Sequence, residues 1–326
     1  MSKEKKPTLV IIDYTSLLYS ACYNNQVVDE KTDNFKEYRD SIDFYTEAIL
    51  KDTKADFYIA VGDGFSSFRK VKYPKTKADR KGKPAMKFLR DLKDYAYDKY
   101  SVITNELMEA DDICLMLHDY YKTEYDVIIA SKDSDLKQAP AMFYNYGWRR
   151  SLYKKGMPDP SEADLKKGLK DAFELVDTIL ADFNLWKSVL IKGHNNKSNY
   201  LAGCGEKTAE AYLSSEDDFG SEHSVLYAFI HGIAKNGTTI KRGVKGYGTV
   251  KGVSEFAKSF EQSYLLRTFD EMYDKFPETK EGANALWHQV KEVVLPKEDS
   301  DNIEDVEEDV FADNDDNIDD NNNDDL

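Results

Sequence analysis

Seven carboxylates are spaced so that a folded chain could gather them: Asp13, Asp63, Glu109, Asp111, Asp112, Asp133 and Asp135. The β-branched run Thr8 to Ile12 ends at Asp13, Phe57 to Val61 ends at Asp63, and Asp126 to Ala130 ends near Asp133 and Asp135. The remaining group, Glu109-Ala110-Asp111-Asp112, opens a helical apolar pattern that runs to Tyr121. Taken singly, each acid reads equally well as a helix cap or a solvated loop residue, and the Glu109 group as acids favoured by a helix dipole. It is the recurrence of strand, then acid, then helix that weighs toward one shared site. Carboxylates brought together raise one another's pKa unless a hard cation offsets them. Mg²⁺ or Mn²⁺ suits that demand, held by a few carboxylates with water and substrate phosphate. Two such ions can activate water and stabilise the leaving oxygen in phosphodiester hydrolysis.

The elements that must position these acids follow from periodicity. Helical patterns at Leu17 to Tyr23, Phe35 to Lys51 and Glu109 to Tyr121 alternate with the three runs, which predicts a mostly parallel α/β sheet. In such sheets a site lies beyond the carboxyl ends of the strands, where these acids fall. After about Pro158 strand signals fade. Leu165, Leu169, Phe173, Val176 and Leu180, then Trp186 and Leu190, recur at helical spacing, so the second half is expected to be mainly α. Gly203-Cys204-Gly205-Glu206-Lys207-Thr208-Ala209 separates two helical segments, and Gly232 to Gly252 is a Gly-rich basic loop. The expected organisation is an α/β domain over 1–158 with a basic segment at about 66–99, a helical part over 159–297, and a tail over 298–326 too poor in apolar residues to fold.

Composition sets the outer bounds. With 326 residues, 41% hydrophobic and 13% aromatic, the chain can bury a sizeable core. No apolar run approaches the roughly 20 residues a membrane span needs, and Lys3, Lys5 and Lys6 lead directly into a strand-like segment instead of a cleavable leader. Cys22, Cys114 and Cys204 are far apart, odd in number and without zinc spacing, which reads as reduced thiols in a cytoplasmic setting. The net charge of −16 conceals a strong polarity. Glu298 to Leu326 holds 15 acids and no Lys or Arg, leaving 45 basic against 46 acidic residues elsewhere. Arg69, Lys70, Lys72, Lys75, Lys77, Arg80, Lys81, Lys83, Lys87 and Arg90 face only Asp79 in their segment, an excess expected to self-repel unless an anion binds. A second basic stretch holds Lys235, Lys241, Arg242, Lys245 and Lys251.

In this order the motifs IIDYTSLLYSACY, VGDGFSSFR, KTKADRK, MEADD and IIASKDSDLKQ closely resemble the 5′ nuclease family. That family includes flap endonucleases, the 5′ nuclease domain of DNA polymerase I, and phage-type RNase H and 5′ exonucleases. The resemblance runs from about residue 8 to about 215. It implies a PIN/flap-endonuclease-like, mostly parallel sheet with a helical arch, followed by a helix-turn-helix DNA-binding part at about 190–215. One metal would be held by Asp13, Asp63, Glu109 and Asp111, with Asp112, Asp133 and Asp135 shared or supporting a second. Lys77 and Arg80 would reach the scissile phosphate from the arch, with Arg69, Lys70, Lys72, Lys75, Lys81 and Lys83 contacting DNA around them. GCGEKTAEAYL resembles the helix-turn-helix clamp, which implies duplex contacts from Gly203, Gly205, Lys207 and Thr208, often with K⁺; Lys241, Arg242 and Lys245 would extend that surface.

The chain departs from the family pattern just before this turn. Relatives carry Gly-Asp and then Asp-Asn there, but this chain reads Gly193-His194-Asn195-Asn196-Lys197-Ser198-Asn199. Both second-metal aspartates are missing. The resemblance implies a monomeric nuclease of a bacterial or phage-infected cell, in replication or repair, acting on branched, nicked or flapped DNA or on an RNA·DNA hybrid. The acidic tail would recruit a replication protein or compete with DNA. Two rivals stand beside it: a branched-DNA-binding accessory protein with a weakened site, and a PIN-type RNase for single-stranded RNA. A pure binder gains nothing from burying like charges, and the RNase reading leaves the helix-turn-helix segment unexplained.

Overall fold

Strand β1 (Thr8–Asp13) runs through the middle of the molecule, because Leu9 to Ile12 are fully buried and alternate between two cores. Leu9 and Ile11 enter one, Val10 and Ile12 the other. The computed structural model describes residues 5–23, 34–64, 67–73, 86–148, 160–191, 201–215, 222–235, 240, 243–275 and 295–296.

After β1 come α1 (Tyr14–Tyr23), α2 (Phe35–Thr53), β2 (Phe57–Val61), α3 (Phe68–Lys72), α4 (Leu89–Lys99), α5 (Ala110–Tyr121) and β3 (Asp126–Ala130). A 3₁₀ turn (Ser134–Gln138), β4 (Ala141–Tyr144), α6 (Glu162–Asp171), β5 (Phe173–Val176) and α7 (Thr178–Ile191) follow. The described chain continues with α8 (Glu206–Leu213), α9 (Glu222–His231), β6 (Gly232–Ile233), β7 (Val244–Lys245), α10 (Thr249–Ser263), α11 (Phe269–Lys275) and β8 (Leu295–Pro296). The main sheet has the order β5-β4-β3-β1-β2-β8. Strands β1 to β4 pair in parallel, while β5 and β8 close the two edges antiparallel. Because β2 and β3 lie on opposite sides of β1, the strand order reverses there, and the crevice at its carboxyl end is where such sheets bind ligands.

Helices cover both faces of the sheet. Leu17 of α1, Ile42 of α2 and Leu92 of α4 pack with Val10 and Ile12 on one. On the other, α5 supplies Ile113 to Leu117, joined by Met272 of α11. A separate helical core gathers Leu185 and Val189 of α7, Leu213 of α8, Phe229 of α9 and Phe256 of α10. The fold is therefore the mostly parallel α/β sheet expected, with a helical part after it. No described helix is long and apolar enough to cross a membrane.

Two expectations about the second half need correcting. Leu165, Leu169, Phe173, Val176 and Leu180 do not lie on one helix: Phe173–Val176 leaves the helical path to pair with Ala141–Tyr144. An open sheet edge supplies hydrogen bonds that outweigh a helical spacing over so short a run. The α/β domain consequently does not end at 158, since β5, α11 and β8 from later in the chain all join it.

Candidate active site

Asp13 ends β1, and its side chain turns back to cap α1, accepting the Ser16 N–H at 3.0 Å. Its other oxygen accepts the Ser131 hydroxyl at 2.7 Å, and Ser131 Oγ in turn accepts the Asp133 N–H at 2.9 Å. This chain of bonds ties the end of β3 to the end of β1. Asp63, just past β2, is held along its backbone: its N–H donates to Thr15 Oγ1 at 2.8 Å, and its carbonyl accepts Lys93 Nζ at 2.8 Å and the Tyr97 hydroxyl at 3.1 Å. Asp63 Oδ1 accepts the Ala110 N–H at 2.8 Å, so the same carboxylate receives the N-terminus of α5.

The first turn of α5 carries three acids with different environments. Glu109 is its cap, in a reciprocal box with Asp112. Asp111 faces the other acids. Burial first, then Asp13, Asp133, Glu109 and Asp63, push its carboxyl above the ordinary range. Asp13, almost wholly buried, is pushed up to about 6, chiefly by desolvation, which the bonds from Ser16 and Ser131 only partly offset. Asp13, Asp63, Glu109 and Asp133 thus all surround Asp111 closely enough to act on its charge, and Asp63 and Asp133 act on Asp13 as well. Asp135, the second residue of the 3₁₀ turn, is half-buried, with its N–H on Asp133 Oδ1 at 2.9 Å.

Among the described residues no three His, Cys, Asp or Glu side chains are posed to hold a metal as they stand. Asp13 and Asp63 instead accept N–H and O–H donors of the surrounding chain. The donor set is nevertheless all oxygen, while Cys114 behind it is fully buried with its thiol pushed up by burial and then by Asp13. A hard divalent ion fits that chemistry; a soft one does not.

Several expected site residues are placed differently. Asp112 is fully buried, and both its oxygens are committed to Arg69, at 2.5 and 2.8 Å, and to the N–H groups of Glu109 and Leu266. It is a buried anchor, and the expectation that it supports a metal is corrected. Arg69 is only 3% exposed, so the expectation that it meets DNA is corrected too. Lys72, though exposed, pairs with Glu261 at 2.6 Å. Acids remote in the sequence thus neutralise the start of the basic segment, which an anion alone was expected to do. Lys70 is half-buried at the root of the same segment.

Lys75, Lys77, Arg80, Lys81, Lys83, His194, Lys241 and Arg242 lie outside the described residues, as does the tail from 298. At the glycine turn, Gly203 has a φ of +87°, open to glycine with little strain, and Gly205 caps α8 without any side-chain bond. Lys207 and Lys245 are exposed and Thr208 half-buried. Ala202 N–H donates to the Tyr247 hydroxyl at 3.1 Å, joining this turn to the segment before α10.

Sequence reasoning missed Thr15, Ser131, Lys93 and Tyr97. Ser131 alone had a local signal, as a hydroxyl between a strand end and Asp133. It also passed over the close approach at Gly64, where a Cβ would lie 2.4 Å from the Asn105 carbonyl oxygen. Gly64→Ala is expected to keep the fold, with circular dichroism as the control, but to shift Asp63 and the approach to Glu109, and so to lower the rate of the nuclease reaction proposed below about 10- to 100-fold. An unchanged rate would mean the loop yields freely.

No family model matches the chain, and no curated protein matches it. Solved structures do. The bacteriophage T5 flap endonuclease, in a complex with DNA and metal ions, aligns with a TM-score of 0.57 at 14% identity, over 88% of this chain and 98% of its own. A T5 protein co-crystallised with metal ions gives 0.54 at 14% identity, over 88% and 99%. A T5 5′-exonuclease variant gives 0.52 at 14% identity over the same shares. Over 88% of its length the chain has the same α/β fold as these flap endonuclease structures.

Proposed function

We propose that this chain is a divalent-metal-dependent 5′ nuclease that hydrolyses phosphodiesters near 5′ ends in branched, nicked or flapped DNA or in RNA·DNA hybrids. The observation that carries this reading is the convergence of Asp13, Asp63, Glu109, Asp111 and Asp133 beyond β1, β2 and β3, at the point where the strand order reverses. Asp13, Asp63, Glu109 and Asp111 would hold one Mg²⁺ or Mn²⁺ ion, and Asp133 and Asp135 would help hold a second. When bound, such an ion acidifies water and offsets charge on the phosphate. Ser131 and Thr15 keep the strand ends in register, and α5 presents Glu109 and Asp111 from one turn. Lys77 and Arg80 would stabilise the charged phosphate, while the exposed turn at Gly203 and Gly205 would take duplex phosphate on the N–H groups of α8, with K⁺ a candidate there.

Cleavage of a labelled 5′ flap, a nicked duplex and an RNA·DNA hybrid with Mg²⁺, Mn²⁺ or EDTA tests the proposal. Cutting that persists in excess EDTA would overturn it, and tight binding without cutting under any ion would favour a DNA-binding accessory protein.

The missing aspartates around His194 and Ser198 lead to a second expected result. Fewer carboxylates hold a reluctantly dehydrating cation less well, so half-maximal rate should need high Mg²⁺ or be reached sooner with Mn²⁺. His194→Asp with Ser198→Asp should lower the metal requirement in a rate titration. Saturation of the wild type by trace Mg²⁺ would show that other groups complete the site.

The tail is the third case. Its 15 acids on an apolar-poor segment can compete with phosphate for the basic stretches or recruit a basic replication partner. Removing residues 299–326 should tighten DNA binding, most at low salt. An affinity unchanged across a salt titration would leave the tail a solubility element.

A further inference from the structure

We propose that Arg69 is a positioning residue that sets the geometry of the metal carboxylates by clamping the first turn of α5, an inference that rests on the nuclease reading above. Its guanidinium lies 3% exposed at the root of the basic segment, over the Phe68 ring. Nη1 and Nη2 form a fork on Asp112 Oδ2 and Oδ1, at 2.5 and 2.8 Å. Nη2 also donates to the Tyr264 carbonyl at the end of α10, and Nη1 stands 3.7 Å from Glu109 Oε2.

Asp112 passes this constraint on. It accepts the Glu109 N–H at 3.2 Å, closing the start of α5, and the Leu266 N–H at 2.8 Å. The same turn presents Glu109 and Asp111, and its Ala110 N–H holds Asp63 Oδ1. Three acids of the site therefore depend on where that turn sits, and Arg69 holds it between α3 and the end of α10. A buried ion pair is a poor device for stability alone, since apolar side chains of similar volume often serve as well. What the fork adds is direction: two parallel bonds fix rotation as well as position, which an ammonium group does not reproduce. Lys72 and Tyr73 of the same segment both reach Glu261 on α10, so the root of the segment is tied to that helix a second time.

Mn²⁺ binding to the full metal-free chain, followed by the paramagnetic signal of free Mn²⁺, tests this without relying on activity. Arg69→Lys keeps the charge and loses the fork, so its Kd for Mn²⁺ should rise about 10-fold or more, in line with other residues that orient ligands. In cleavage, kcat at limiting metal should fall while KM for the flap stays within about twofold. A second variant covers loss of folding: Arg69→Met with Asp112→Leu should regain the melting temperature lost in Arg69→Met but not the Mn²⁺ affinity. Wild-type affinity in Arg69→Lys, or affinity that returns together with stability in the double variant, would overturn the inference while leaving the nuclease reading intact. A wild type that neither binds Mn²⁺ nor cuts would remove both.

Discussion

Asp13→Asn is expected to lose cleavage by at least about a hundredfold while the metal-free protein melts at a higher temperature than the wild type. Both effects have one origin. Asp13 is 2% exposed and its carboxyl lies at about 6 against an ordinary 3.8, because burial and nearby acids penalise its charge. A carboxylate raised in this way contributes its full stability below the ordinary value and loses it as pH rises through about 6. Near neutral pH the metal-free fold is therefore weakened, by up to about 3 kcal/mol for a shift of that size. Asparagine carries no charge to penalise. It can keep the cap on the Ser16 N–H, since Asn and Asp cap equally well, and its amide can donate to Ser131. DNA binding should persist or tighten, because one negative charge facing phosphate is gone. Thermal melts with EDTA and with Mg²⁺, at pH 5 and pH 7.5, measure the stability effect. The variant's advantage should be large only at the higher pH and without metal. Equal melting temperatures under all four conditions would show that Asp13 carries no such penalty, and an unimpaired cleavage rate would remove it from the site.

Arg69→Met should be the most destabilising single change near the site, at about 3–5 kcal/mol. Its partner Asp112 is completely buried, so removing the guanidinium strands a carboxylate that retains only the Glu109 and Leu266 N–H groups. The Tyr264 carbonyl loses a donor as well. Urea unfolding of the full chain measures this, with Lys72→Met as the contrasting case. Lys72 is exposed and its partner Glu261 half-buried, and a pair with one arm in solvent contributes about 1 kcal/mol. If the two variants unfold at the same urea concentration, the Arg69–Asp112 pair is not buried as the packing of α3 against α5 and α10 requires.

The contrast between Arg69 and Lys72 also marks where reading the sequence ran out. Both lie in one basic run, and charge counting treated them alike. The acids that neutralise them, Asp112 and Glu261, are 43 and 189 residues away, and only packing brings them close. The same holds for Phe173–Val176, whose apolar residues fit a helix until the open edge of β4 is available. Thr15 acts through a hydrogen bond from the Asp63 N–H, 48 residues away, that no pattern of residue types announces.

Asp13, Asp63 and Asp133 are different. Each follows its own β-branched or apolar run, so the local order of strand and acid already says at which end of the strand the carboxylate stands. Parallel pairing then brings all carboxyl ends to one edge, whatever the strand order. The sequence by itself therefore determined the parallel sheet and the row of acids that follow its strands, since these depend on periodicity and residue type within short windows. Only the tertiary structure decided which acids face that edge and which are taken up as buried anchors. Residue type sets the sign of a charge, but its burial and its partner depend on contacts between segments far apart in the chain.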